Sequence, residues 1–173
     1  MERKTPSIIV FDLDLTLWNC WCDCTTGPYE LVSSDGTSTN PGDIVVKDQY
    51  GQRIRLYPEV ASVLEYCQSS LPDVVLAVAS RTDTPPQARA LLHHFGLHSH
   101  FRLQEIYPGD KKQHMRRIAA DAGTPIHSIL FFDDEERNVI STRQIGVVAV
   151  HVPDGLTSNS FTAGLSHYHT QRL

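Results

Sequence analysis

Ile8-Ile9-Val10-Phe11-Asp12-Leu13-Asp14-Leu15-Thr16 opens on four apolar residues and closes on two carboxylates. The apolar part, short and mostly β-branched, predicts a buried strand. A carboxylate placed just past such a strand is costly unless it is paired or holds a cation. A long stretch rich in Gly, Ser, Thr, Asn and Pro follows, from Asn19 to Asp43. Ile44–Lys47 and Arg53–Leu56 flank Asp48-Gln49-Tyr50-Gly51, the pattern of a hairpin with a glycine turn. Structureless runs of that length usually serve a purpose, so residues 19–56 read as a flap inserted after the first strand.

From Pro58 onwards the pattern is regular. Val60, Val63, Leu64 and Cys67 fall at helical spacing, with Pro58 opening the helix. Val74–Ala79 is an apolar strand, and Ala88, Leu91, Leu92 and Phe95 mark a helix stopped by Gly96. Phe101–Ile106 predicts a strand. Met115, Ile118, Ala119 and Ala122 predict a helix ended by Gly123. Ile129–Phe132 is a strand, Val139, Ile140 and Ile145 suggest a helix ended by Gly146, and Val147–Val152 is a last strand. Ser158–His167 predicts a short final helix. Strands alternating with helices imply an α/β fold, a doubly wound, Rossmann-like parallel sheet, with the whole of 1–173 as one domain.

Composition narrows the class. The hydrophobic fraction is 40% and the charged fraction 20%, as in globular chains. The formal charge is −5 with no basic run, which argues against a nucleic-acid partner. Met1–Pro6 leads into only four apolar residues, too few for a signal-peptide core, and no run is long enough to span a bilayer. A membrane role is therefore not expected. With its four cysteines read as free thiols, the chain suits a reducing compartment, cytosol or nucleus.

In doubly wound sheets, ligands bind at the carboxyl ends of the strands. Asp12 and Asp14 follow the first strand, Ser80 and Arg81 the second, and Asp133 and Asp134 the fourth, while Lys111 opens the helix after the third. Several carboxylates in one crevice repel one another, and a hard cation relieves this; oxygen donors alone favour Mg2+ over Zn2+. Lys111, the Ser80 hydroxyl and free backbone N–H groups suit phosphoryl oxygens. A carboxylate nucleophile facing a metal and a lysine is the equipment of phosphoryl transfer. Asp12 would carry the phosphoryl group, and Asp14 would act as acid and then base.

These four motifs, in this order, resemble those of the haloacid-dehalogenase-like hydrolases. Phe11-Asp12-Leu13-Asp14 with Thr16-Leu17-Trp18, Leu56-Tyr57-Pro58-Glu59-Val60, Ala79-Ser80-Arg81-Thr82, Glu105-Ile106-Tyr107-Pro108-Gly109 and Phe131-Phe132-Asp133-Asp134-Glu135 are similar to the capless magnesium-dependent phosphatase-1 subgroup. The resemblance spans nearly the whole chain. It implies Asp12 as nucleophile and metal ligand, and Asp14 as acid/base whose backbone carbonyl binds Mg2+. It implies Asp133 as a third ligand, Ser80 and the Arg81 N–H as phosphoryl holders, Lys111 as the neutralising cation, and Asp134 as a group orienting Lys111 or a metal-bound water. The substrates it implies are phosphotyrosine or sugar-phosphate-type esters, on a small molecule or a phosphoprotein. One departure stands out: Cys24–Lys47 is longer than the subgroup's pattern, so the flap and the substrate it admits can differ.

Plainer readings compete. Singly, Asp12-Leu13-Asp14 could be a turn, Ser80 a helix cap, Lys111 a solvated lysine, and Asp133-Asp134 a dipole-favoured pair. Cys20, Cys22 and Cys24 would share one face of an extended strand, but their spacing is no zinc pattern, and loop packing accounts for them. His93-His94 suits a helix C-terminus, Trp18 and Trp21 suit core or flap packing, and the Arg81 side chain is as open to substrate binding as not. A receiver domain would place its phospho-acceptor after the third strand, where no Asp stands. A binding module that had lost catalysis would lack some of these groups, and none is missing. A dehalogenase has no need of Asp14, and a mutase suits an open site less than hydrolysis does.

Overall fold

The computed structural model describes residues 5–32 and 40–171. Five parallel strands form the main sheet in the order β6-β5-β1-β7-β8. They are β1 (Ile8–Phe11), β5 (Val75–Ser80), β6 (Leu103–Ile106), β7 (Ile129–Asp133) and β8 (Val148–His151). β1 lies at the centre, with Phe11 level with Val78 on one side and Phe132 on the other. Every residue of β1 is buried, which is why this strand lacks the polar alternation of a half-exposed one.

Helices cover both faces. Ile9 and Phe11 point into a core shared with α1 (Val60–Ser70), α2 (Pro85–His94) and α5 (Ser158–Thr170). Ile8 and Val10 meet α3 (Lys111–Ala122) and α4 (Glu136–Arg143) on the opposite face. α5 rides close to the sheet at Gly164, where a Cβ would come within 2.7 Å of Phe132. Between β1 and α1 lies a small antiparallel sheet, β2 (Glu30–Leu31), β3 (Val45–Lys47) and β4 (Arg53–Arg55). Part of the long Cys24–Lys47 stretch, residues 33–39, lies outside the described residues. No described helix is long and apolar enough to cross a membrane.

The cysteines pack in a loop, as expected: Cys22–Cys24 is a 3-10 turn, with Cys20 and Cys22 buried and Cys24 exposed. Other local expectations change. Ile140 is not a core residue, being 51% exposed; α4 buries Asn138, Val139 and Thr142 instead. The first helix begins at Val60 rather than at Pro58, and the third strand begins at Leu103 rather than at Phe101.

Candidate active site

The carboxyl ends of β1, β5 and β7 bring the predicted polar groups to one crevice. It has a volume of 420 Å³, and its lining includes Asp12, Asp14, Ser80, Lys111 and Asp134. Asp133 lies beneath it, fully buried. A larger hollow of 760 Å³ beside α1 and α5 has no carboxylate, lysine or arginine among the described residues that line it, so the chemistry lies with the smaller one.

Lys111 sits at the first turn of α3, behind Asp110, whose side chain caps the helix by accepting from the Lys112 N–H at 2.9 Å. Its stem runs back into the protein, leaving it 1% exposed. Nζ donates to Asp12 Oδ1 at 2.5 Å, to the Ala79 carbonyl at 2.5 Å, and pairs with Asp133 Oδ2 at 3.0 Å. Those three acceptors match the three protons of the ammonium. Burial by itself would lower the Lys111 pKa; the facing carboxylates of Asp12 and Asp133 reverse this and raise it.

Asp12, Asp133 and Asp134 offer carboxylate oxygens that all lie within 4.8 Å of one another. Burial pushes Asp12 well above the ordinary carboxylate range; Lys111 opposes this and Asp133 adds to it. Asp134 is pushed up to about 6 by burial, then by the charges on Asp133 and Glu135. Three carboxylates facing one lysine leave uncompensated negative charge, and the donors are hard oxygens. That set fits Mg2+ or a similar cation.

Asp14 sits apart from this trio. Its Oδ1 accepts from Trp18 Nε1 at 2.6 Å and its Oδ2 from the Cys22 N–H at 3.0 Å. Burial raises its pKa, and those two hydrogen bonds oppose the rise. Ser80 is buried on the crevice floor, with Oγ accepting from the Thr82 N–H at 3.3 Å.

The Arg81 side chain, open to substrate binding or not on sequence, stands in the crevice lining with Nη1 donating to Asn138 Oδ1 at 3.0 Å. The Asp134 carboxylate stands with those of Asp12 and Asp133. Of the two tryptophans, Trp18 is core, whereas Trp21 lines the crevice and is 56% exposed.

Sequence reasoning missed three contributors. Asn138 Nδ2 donates to both Asp133 oxygens; its only signal was a polar residue one turn into the helix after the acidic strand end. Thr16, fully buried, donates through Oγ1 to Asp12 Oδ2 at 3.3 Å and accepts from the Asp134 N–H at 3.2 Å, tying two strand ends together. Asp23 Oδ1 accepts from Thr82 and Thr84 hydroxyls at 2.5 and 2.6 Å, anchoring the turn above the site. Nothing in the spacing of these residues announces that contact.

Residues 4–171 match the family model described as acid phosphatase. The chain is 40% identical over 165 residues to human magnesium-dependent phosphatase 1, covering 95% of this chain and 88% of that protein. It is 32% identical over 143 residues to a HAD-like (haloacid-dehalogenase-like) hydrolase superfamily protein of Schizosaccharomyces pombe, covering 77% and 78%. Its fold is similar to a haloacid-dehalogenase-like family hydrolase of Streptococcus pneumoniae, with TM-score 0.59, 13% identity and 94% and 90% of the two chains covered. A Bacteroides fragilis fragment, containing a phosphatase domain and complexed with Mg, has TM-score 0.60 at 16% identity, over 95% of this chain and 40% of that one.

Proposed function

This chain belongs to the acid phosphatase family, and on that premise we propose that it is a Mg2+-dependent phosphatase of phosphate monoesters with Asp12 as nucleophile. The observation that carries the reading is the buried Asp12–Lys111 pair with the Asp133 and Asp134 carboxylates gathered against it. The name of the human relative supports both the reaction and the cation. Asp12, Asp133 and the Asp14 backbone carbonyl would hold Mg2+, with Asp134 as a further carboxylate beside them. When bound, the cation offsets charge on the phosphoryl oxygens.

The chain's own residues do the rest. The Asp12 carboxylate attacks phosphorus, the ester P–O bond breaks, and Asp14 passes its proton to the departing oxygen. Burial raises Asp14 in the direction that first role needs. A phosphoaspartate remains on Asp12. Asp14, now ionised, takes a proton from water as that water attacks phosphorus; the P–O bond to Asp12 breaks and inorganic phosphate leaves. The Ser80 hydroxyl and Arg81 N–H hold phosphoryl oxygens, and Lys111 steadies charge on Asp12.

The substrates are phosphate monoesters of the phosphotyrosine or sugar-phosphate type. Trp21 supports this: an exposed indole at the crevice offers a substrate ring a face to pack on. The small sheet between β1 and α1 belongs to the flap of residues 19–56, which controls access. Four free cysteines support a cytosolic or nuclear setting.

Phosphate release from p-nitrophenyl phosphate, phosphotyrosine peptides and sugar phosphates tests the reading. Asp12→Asn is expected to lose at least about a thousandfold. EDTA should silence the wild type and Mg2+ restore it. A variant keeping about a tenth of the rate would sink the nucleophile assignment.

A further inference from the structure

We propose that Trp18 is the positioning residue of Asp14, its indole N–H fixing where the acid/base carboxylate stands. The inference rests on the reading of Asp14 given above and adds the group that aims it.

Trp18 is fully buried and stacks on Phe95, with ring centroids 6.1 Å apart and planes at 22°. A buried indole N–H needs an acceptor, and this one takes Asp14 Oδ1 at 2.6 Å. The Cys22 N–H takes the other oxygen at 3.0 Å. Both groups are donors only, so the carboxylate is gripped at both ends by partners that cannot be reversed.

The local backbone is shaped for that grip. Leu15 turns through φ +58°, an unusual conformation for a leucine, and its N–H donates to the Trp18 carbonyl at 2.9 Å. The Leu17 N–H donates back to the Leu13 carbonyl at 2.8 Å. Residue 18 is thereby folded back alongside residue 14, with which it forms a β-bridge.

Trp18 is in turn held from outside the site. It bridges Leu56, just past β4, and the next N–H, of Asn19, donates to the Arg55 carbonyl at 3.1 Å. Packing on Phe95 and pairing with the end of the hairpin thus set the indole, and the indole sets Asp14. Packing alone accounts for a buried ring here. It does not require that the ring's one polar group point at the carboxylate two residues from Asp12.

General-acid help matters most when the leaving group is poor. An alkoxide departs badly without a proton, whereas p-nitrophenolate departs readily. Loss of Asp14 aim should therefore damage an alkyl phosphate more than an activated aryl one.

The test compares glycerol 2-phosphate with p-nitrophenyl phosphate in wild type, Trp18→Phe, Asp14→Asn and the double variant. Asp14 is also the base in the later step that both esters share, so the comparison is of kcat/KM, which reports the steps up to departure of the leaving group. Trp18→Phe is expected to lose about tenfold more kcat/KM on the alkyl ester than on the aryl ester. In the Asp14→Asn background, Trp18→Phe should add nothing to the alkyl-ester loss. An equal loss of kcat/KM on both esters, or full additivity with Asp14→Asn, overturns the inference. If Asp14→Asn itself shows no preference for the alkyl ester, the acid/base reading has failed and this inference falls with it. Should Trp18→Phe not fold, 3-benzothienylalanine at position 18 removes the N–H while keeping the ring's shape, and the same comparison decides.

Discussion

Asn138 Nδ2 donates to both carboxylate oxygens of Asp133 at 3.1 Å, from one turn into the helix that follows it. The same side chain accepts from Arg81, so a single amide joins the ends of β5 and β7. Asn138→Ala would leave Asp133, fully buried, short of donors and free to turn. The half-saturating Mg2+ concentration should rise about tenfold to a hundredfold, read from activity against metal. Urea unfolding in EDTA should show a loss of about 1–3 kcal/mol.

A proton and a cation compete for Asp134. Its pKa is raised to about 6, by burial and then by Asp133 and Glu135, so it is charged only above that pH. The Mg2+ requirement should therefore stay level above about pH 6 and climb by up to tenfold per unit below it. Asp134→Asn should flatten that climb. Metal titrations at several pH values check both.

Thiol reactivity should follow burial. Burial pushes Cys20 and Cys67 up to about 12 and raises Cys22 further. Cys24 is exposed. Native protein treated briefly with iodoacetamide should gain one adduct, at Cys24, and denatured protein should gain four, as counted by mass spectrometry. Early modification of Cys22 would show that the turn above the crevice opens.

Gly164 sets how closely α5 approaches the sheet. A Cβ there would lie 2.7 Å from Phe132 Cζ and 3.1 Å from Val150 Cγ2. Gly164→Val should destabilise the fold by about 1–3 kcal/mol in urea denaturation. Because α5 stands outside the crevice, the rate per folded molecule should hold.

Much of the fold can be read from local pattern, because its causes are local. Ile8–Phe11 is apolar without alternation, which only a strand buried on both faces requires. Gly123, at φ +65°, ends α3 where the sequence says it should. The Cys20–Cys24 alternation carries no strand, because alternation is a property of extended chain and a 3-10 turn cancels it. Val139 and Ile140 both mark α4, yet the residues it buries are Asn138, Val139 and Thr142, and Ile140 is 51% exposed.

The site divides along the same line. By itself the sequence determined which carboxylates and which lysine stand at strand ends, since a buried strand followed by an acid is a short-range pattern. Tertiary structure decided what each one faces. It sends the Lys111 stem inward to Asp12, 99 residues away in sequence, pairs Arg81 with Asn138, and draws Asp134 in beside Asp12. Those choices depend on charges and hydrogen-bond partners that chain folding brings within a few ångströms. Coulomb and hydrogen-bond energies fall off with distance in space, whatever the separation along the chain.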